Sequence, residues 1–222
     1  MEYPELQVVP RASQRIVTES KRESEQSQWI EYAPIQLGSA MLFAGGLTHA
    51  LTAPSDTESQ RMDRLVGSSV AMGVGTGWMA LTAWMAASYR PYTSAVELQG
   101  SVTGTGKREV LTRERMAESS IAKAARNGRI LSWGFALSQA AASITLLNST
   151  NSVHQNLTPV IAGGALVMSL APVIFPFHWQ QVEGEQSEYK KRIFTPVAFN
   201  AAVLPSADGK NPMLSTQLQF VF

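Results

Sequence analysis

The sequence predicts a mainly α membrane protein, with four transmembrane helices in two hairpins, flanking amphipathic helices and a C-terminal β-hairpin, all within one membrane domain of residues 1–222. Three observations carry this expectation. Residues 130–182 contain no Asp, Glu, Lys or Arg, although the mean hydropathy of the whole chain is only -0.04. Two earlier windows, Tyr32 to Ser55 and Leu65 to Tyr89, are equally free of charge. The final residues change from helical to alternating periodicity.

A bilayer crossing takes about 20 apolar residues, so 130–182 is too long for one span. It breaks at the polar stretch Asn148 to Asn156, giving two spans and a turn. The four spans are placed at 33–53, 65–88, 130–147 and 157–177. In lipid every backbone polar group must bond within the protein, which leaves helices or a closed barrel, and the alternation of barrel strands is missing from all four. A soluble all-α protein with very apolar core helices is the competing reading, since Gly, Ala, Ser and Thr dilute the windows, notably at 67–77. A surface helix of such a protein needs a polar face, which these windows lack.

Taken in order, residues 12–30 read as an amphipathic helix leading into the first span, where Pro34 suits a first helical turn. In the second span Ser69, Gly73 and Gly77 recur four apart, the spacing that lets two helix backbones approach closely in lipid, within one protomer or between two. Residues 110–128 form a second amphipathic helix with an apolar stripe of Val110, Leu111, Met116, Ile121 and Ala125. Such a helix lies at the headgroup boundary, packs on a neighbouring subunit, or continues the third span into water. Pro159, Pro172 and Pro176 start, kink and end the fourth span. Tyr32, Tyr89, Trp133 and Trp179 sit near span ends and fit an interfacial aromatic belt, whereas Trp78 lies mid-span. The chain reads as two copies of one pattern: amphipathic helix, span, polar turn, span.

The charges are sorted along the chain. Four crossings put both termini and the central segment on one side, and of the 18 Lys and Arg residues only Arg61 and Arg64 fall on the other. In an inner membrane the basic side is the cytoplasm.

Catalytic constellations are scarce. With zero Cys there is no thiol nucleophile or Cys metal site, and a net charge of +1 without a basic, aromatic-studded stripe argues against nucleic acid. His49, His154 and His178 lack ligand spacing, so neither metal nor cofactor is expected. Gly100 to Lys107 is similar to a phosphate loop but has Ser101 where a Gly belongs and Arg108 where the magnesium-holding hydroxyl belongs, and it reads as a linker. Asn148-Ser-Thr and Asn156-Leu-Thr match the glycosylation pattern, which matters only on a eukaryotic secretory route.

In the tail, 193–222, the run Ile193 to Leu204 is rich in β formers, 205–212 supplies turn residues, and Leu214, Leu218, Phe220 and Phe222 share one face of a final strand. An amphipathic strand closing on Phe resembles the C-terminal signal of outer-membrane proteins. Two strands alone leave exposed edges. Repetition around a ring satisfies both edges of every hairpin at once, and heterologous contacts that close give cyclic symmetry, so a homo-oligomer is expected.

Helical spans combined with such a strand give the chain an architecture that resembles the PopA-like ring-forming α-helical outer-membrane proteins of predatory bacteria. The resemblance implies a cyclic oligomer, typically a pentamer, whose bowl-shaped ring surrounds a patch of lipid. The expected function is therefore non-enzymatic, with membrane lipid as the ligand. An inner-membrane channel or transporter subunit is the alternative, with Gln36, His49 and Gln139 as its polar interior. A membrane enzyme pairing Glu183 or Glu185 with His178 is a third reading. Residues 1–6 lack the basic and apolar regions of a signal peptide, which keeps the inner membrane in play.

Overall fold

The computed structural model describes residue 6 and residues 8–51, 58–149, 157–194, 198–205 and 212–219. Eight helices and two strands follow one another among these. α1 (Ala12–Glu25) ends before the predicted boundary, because the chain turns extended at Gln26, whose N–H returns to the Arg22 carbonyl. Trp29 and Ile30 therefore open the next helix, α2 (Trp29–Leu51), and Pro34 sits inside it, one turn later than expected. α3 (Glu58–Ser88) starts seven residues ahead of the predicted second span. A helix not foreseen from the sequence follows, α4 (Pro91–Gly100), with Pro91 at its first position.

Gly104, at φ +129°, turns the chain into α5 (Lys107–Asn148), a single helix of 42 residues. The predicted amphipathic helix 110–128 and third span 130–147 are thus one rod of about 63 Å at 1.5 Å per residue. Its N-terminal half is buried along Leu111, Glu114, Ala117, Ile121 and Ala124, against α1, α4 and the later helix α8. The predicted fourth span is divided into α6 (Leu157–Ser169) and α7 (Ala171–Ile174), because Pro172 cannot donate a backbone bond. Pro176 lies in the break before α8 (His178–Phe194), which takes in Ile193 and Phe194 from the predicted tail. β1 (Ala198–Pro205) pairs antiparallel with β2 (Pro212–Gln219), in register Phe199 with Leu218 and Val203 with Leu214.

Three helical stretches are long and apolar enough to cross a membrane: Arg61–Gly100, Lys107–Asn148 and Leu157–Lys191. The expected count was four. α2 falls short because Gln36 and His49 dilute its uncharged run, although it packs along both α3 and α6.

Two cores hold the assembly. The inner one, Leu42, Ala71, Ala142, Leu146, Ala162 and Ala165, is built mostly from Ala, which brings α2, α3, α5 and α6 close together. The other gathers Ile16, Tyr32, Tyr92, Ile121, Phe135, Phe177 and Trp179 where the lipid-directed helices meet α1, α4 and α8. Its aromatic rings interlock: Trp179 lies 5.5 Å from Phe177, 5.2 Å from Tyr89 and 6.3 Å from Tyr32. Tyr32 and Trp179 are buried here, so they form a plug between the two halves rather than part of a lipid-facing belt. The exposed Trp residues at this level are Trp29, Trp84 and Trp133.

Candidate membrane surface and headgroup-level cavity

The outer face of the lipid-directed helices is apolar without a covering layer. Leu37 and Leu51 on α2, Leu65 and Trp84 on α3, Leu137 and Ile144 on α5, and Val160, Val167 and Ile174 on α6 and α7 are all exposed. Soluble monomers rarely leave contiguous apolar patches of more than a few hundred Å² uncovered. Lipid is the natural complement of such a surface.

α3 carries two interleaved rows of small residues at four-residue spacing. Gly67, Ala71 and Gly75 face inward and are buried. A Cβ on Gly75 would meet the Ser39 carbonyl at 2.7 Å and the Phe43 nitrogen at 3.0 Å, so α2 lies directly on that glycine. From the other side, a Cβ on Gly46 of α2 would meet the Ser68 carbonyl at 2.9 Å. The row singled out from the sequence, Ser69, Gly73 and Gly77, faces outward. Side chains built on Gly73 and Gly77 meet nothing within 4 Å, so this row makes no helix contact within the protomer. The inward row carries the same spacing and was not distinguished in the sequence.

Of the tail residues singled out, Leu214 and Leu218 lie in β2, while Phe220 and Phe222 fall outside the described residues. His154 also falls outside them. His49 is buried near the far end of α2 with its Nε2 3.1 Å from the Ser149 hydroxyl. Gln36 donates to the Met79 carbonyl at 3.2 Å, and Gln139 donates to the Gly38 carbonyl, so both amides tie helices together. Trp78 donates from Nε1 to the Ser138 hydroxyl at 2.8 Å, which explains an indole at mid-span.

The expected pairing of His178 with Glu183 or Glu185 does not form. Glu183 pairs with Arg129 and Glu185 with Arg15. His178 instead meets Glu19 of α1, its Nε2 2.7 Å from Oε2, and Arg22 stands 2.9 Å from its Nδ1. The same Arg22 nitrogen lies 2.6 Å from Nε2, so the imidazole is held between the Glu19 carboxylate and the Arg22 guanidinium. Burial works against the charged Glu19 carboxyl, but the His178 hydrogen bond and the nearby positive charges of His178, Arg22 and Arg15 outweigh it and lower its pKa.

Around this cluster lies a cavity of about 340 Å³, walled by Glu19, Arg22 and Glu23 of α1, Glu31 of α2, Tyr92 of α4 and Trp179 of α8. Glu23 is committed: its carboxylate accepts from the N–H groups of Tyr92 at 3.2 Å and Thr93 at 2.9 Å, and from the Thr93 hydroxyl at 3.0 Å. It thereby caps α4 from outside, since Arg90 at the cap position makes no side-chain capping bond and donates instead to the Glu23 carbonyl at 2.9 Å. Sequence reading passed over this cluster, though Glu19, Arg22 and Glu23 share one face of α1 at i, i+3 and i+4. Among the described residues no group of three His, Asp or Glu is placed to hold a metal ion.

Helices long and apolar enough to cross a bilayer, clad in exposed aliphatic side chains, give the chain the surface of a helical membrane protein. No family model, no curated protein and no solved structure matches it.

Proposed function

We propose that the chain is a non-enzymatic membrane protein that assembles as a cyclic homo-oligomer in the outer membrane, its ring enclosing lipid. The observation that carries the reading is the outward row Ser69, Gly73 and Gly77. Small residues on a lipid-directed helix, with open space above them, offer a neighbouring helix close backbone approach, the main source of helix association in lipid. α2 serves as a fourth span, since it carries no charge after Glu31 and exposes Leu37, Leu47 and Leu51. The sequence alternation Leu214, Leu218, Phe220 and Phe222 supports the outer membrane, and the edges of the β1–β2 hairpin are satisfied by neighbours in a closed ring.

A second reading, an inner-membrane channel or transporter subunit, draws on Ser39, Gln139 and Ser143. All three are fully buried at membrane depth, and Ser39 Oγ, Gln139 Oε1 and Ser143 Oγ lack a hydrogen-bond partner.

Density-gradient separation of the two membranes, followed by native mass spectrometry of the purified particle, tests both. The ring reading expects outer-membrane recovery, one subunit number above two and retained lipid. Recovery with inner-membrane markers rejects the location, and a lipid-free monomer rejects the mechanism. Unitary conductance in planar bilayers favours the channel.

A further inference from the structure

The cavity beside His178 contains two polar groups that the protein leaves unanswered. Glu31 Oε2 is shielded from water and has no hydrogen-bond partner, and the same is true of the hydroxyl of Tyr92, a residue only 1 % exposed. A buried carboxylate oxygen without a partner is costly, and so is a buried hydroxyl. The other groups of the wall are taken. Glu23 caps α4, Glu19 holds His178, and Arg22 donates to His178 and, at 2.8 Å, to the Gln26 side chain. The walls carry three carboxylates, Glu19, Glu23 and Glu31, against the Arg22 guanidinium and the His178 imidazole, which makes the cavity a place for a cation.

The position narrows the class of cation. Glu31 is the last charge before the uncharged run of α2, and its neighbours Trp29 and Ile30 are exposed, with Ile30 lining the cavity. The opening therefore lies at the depth where lipid headgroups sit. A divalent metal lacks a ligand set here. A primary ammonium has three N–H donors, enough for Glu31 Oε2, the Tyr92 oxygen and a further acceptor, and the indole of Trp179 offers its cavity an aromatic wall.

We infer that this cavity binds the primary ammonium of a lipid headgroup, of the ethanolamine class, through Glu31 and Tyr92. The inference rests on the reading of the chain as embedded in lipid. It discriminates against choline lipids, whose quaternary nitrogen has no N–H to give, and against glycerol lipids, which carry no cation to balance Glu31.

The test is native mass spectrometry of the full chain released from vesicles of equal parts phosphatidylethanolamine, phosphatidylcholine and phosphatidylglycerol. The expected result is ethanolamine lipid retained over choline lipid by roughly tenfold, a charged hydrogen bond's worth of discrimination. Glu31→Gln brings that ratio near one, and Tyr92→Phe lowers it without disturbing the fold. Free ethanolamine that displaces the lipid shows that the ammonium alone is recognised, and its failure to do so assigns recognition to the whole headgroup. Equal retention of the three lipids by the wild-type chain overturns the inference, as does a preference that survives in both variants. The same spectra count subunits, so a monomer that prefers ethanolamine lipid rejects the ring and leaves this site standing.

Discussion

Arg129 and Glu183, the charges at either end of the uncharged stretch 130–182, form a bidentate ion pair, Nη1 to Oε2 at 2.5 Å and Nη2 to Oε1 at 3.3 Å. The chain enters the apolar layer just after one partner and leaves it just before the other. The pair thus marks one level of the membrane boundary on α5 and α8.

It marks that level more than it maintains it. The two side chains are 47 % and 30 % exposed, so water and salt screen their attraction and the pair contributes about 0.2–1 kcal/mol. A double-mutant cycle with Arg129→Gln and Glu183→Gln, followed by thermal unfolding in detergent, is expected to give a coupling in that range that fades in about 1 M salt. A coupling above about 3 kcal/mol would mean the pair sits in a far drier environment.

Glu114 holds the start of α1. Its buried carboxylate accepts from the N–H of Ala12 and, at 3.2 Å, from that of Ser13, while Arg11 at the cap position offers no side-chain bond. Glu114→Ala is expected to cost about 1–2 kcal/mol, the upper range of a lost cap. Hydrogen exchange at Ala12 and Ser13 then rises about tenfold or more, with amides in the lipid-directed part of α5 unchanged. Uniform loss of protection along the chain would show instead that Glu114 supports the whole fold.

Glu19 and Glu23, four residues apart on α1, respond to pH in opposite senses. Burial raises the pKa of Glu23, and its bonds from Thr93 and Tyr92 and the charge of Arg90 only partly oppose this. Its protonated form therefore stabilises the fold fully below the ordinary value of 4.5, and this contribution is lost as pH rises through the raised native value. Glu19, lowered, contributes stability above 4.5 that is lost as pH falls through its native value. In denaturant titrations across that range, Glu23→Gln removes a loss on the alkaline side and Glu19→Gln removes a loss on the acid side. Parallel profiles for both variants and the wild type would refute the assignment.

The lipid-directed helices were legible in the sequence because lipid forbids charge, and uncharged windows delimit α3 and the membrane half of α5 to within a turn or two. Boundaries set by tertiary contacts were not. Nothing local says that α1 stops at Glu25 while α5 runs unbroken through Gly128 and Arg129, because α1 is closed by Gln26 turning away and α5 is held by α8 packing over it. α8 went unread because it begins inside the uncharged stretch 130–182 and runs on through the charged residues that follow it. Likewise the cavity depends on Glu19 meeting a histidine 159 residues away, a separation no spacing rule spans.

The two rows of α3 present the same small residues to opposite surroundings, and substitution tells them apart. Gly75→Leu drives a side chain into the Ser39 carbonyl and the backbone of Phe43, so α2 must move and the protomer unfolds at lower temperature by several degrees, the scale of an overpacked core. Gly73→Leu and Gly77→Leu enter open space within the protomer, and replacing an exposed helical glycine gains up to about 1 kcal/mol. Their monomers are therefore expected to be as stable as wild type or more so. If the outward row is the subunit contact, the same two substitutions prevent close backbone approach and shift the particle to lower mass in size-exclusion chromatography with light scattering. Retention of the wild-type mass by the Gly73→Leu, Gly77→Leu double variant would place the contact elsewhere on the surface.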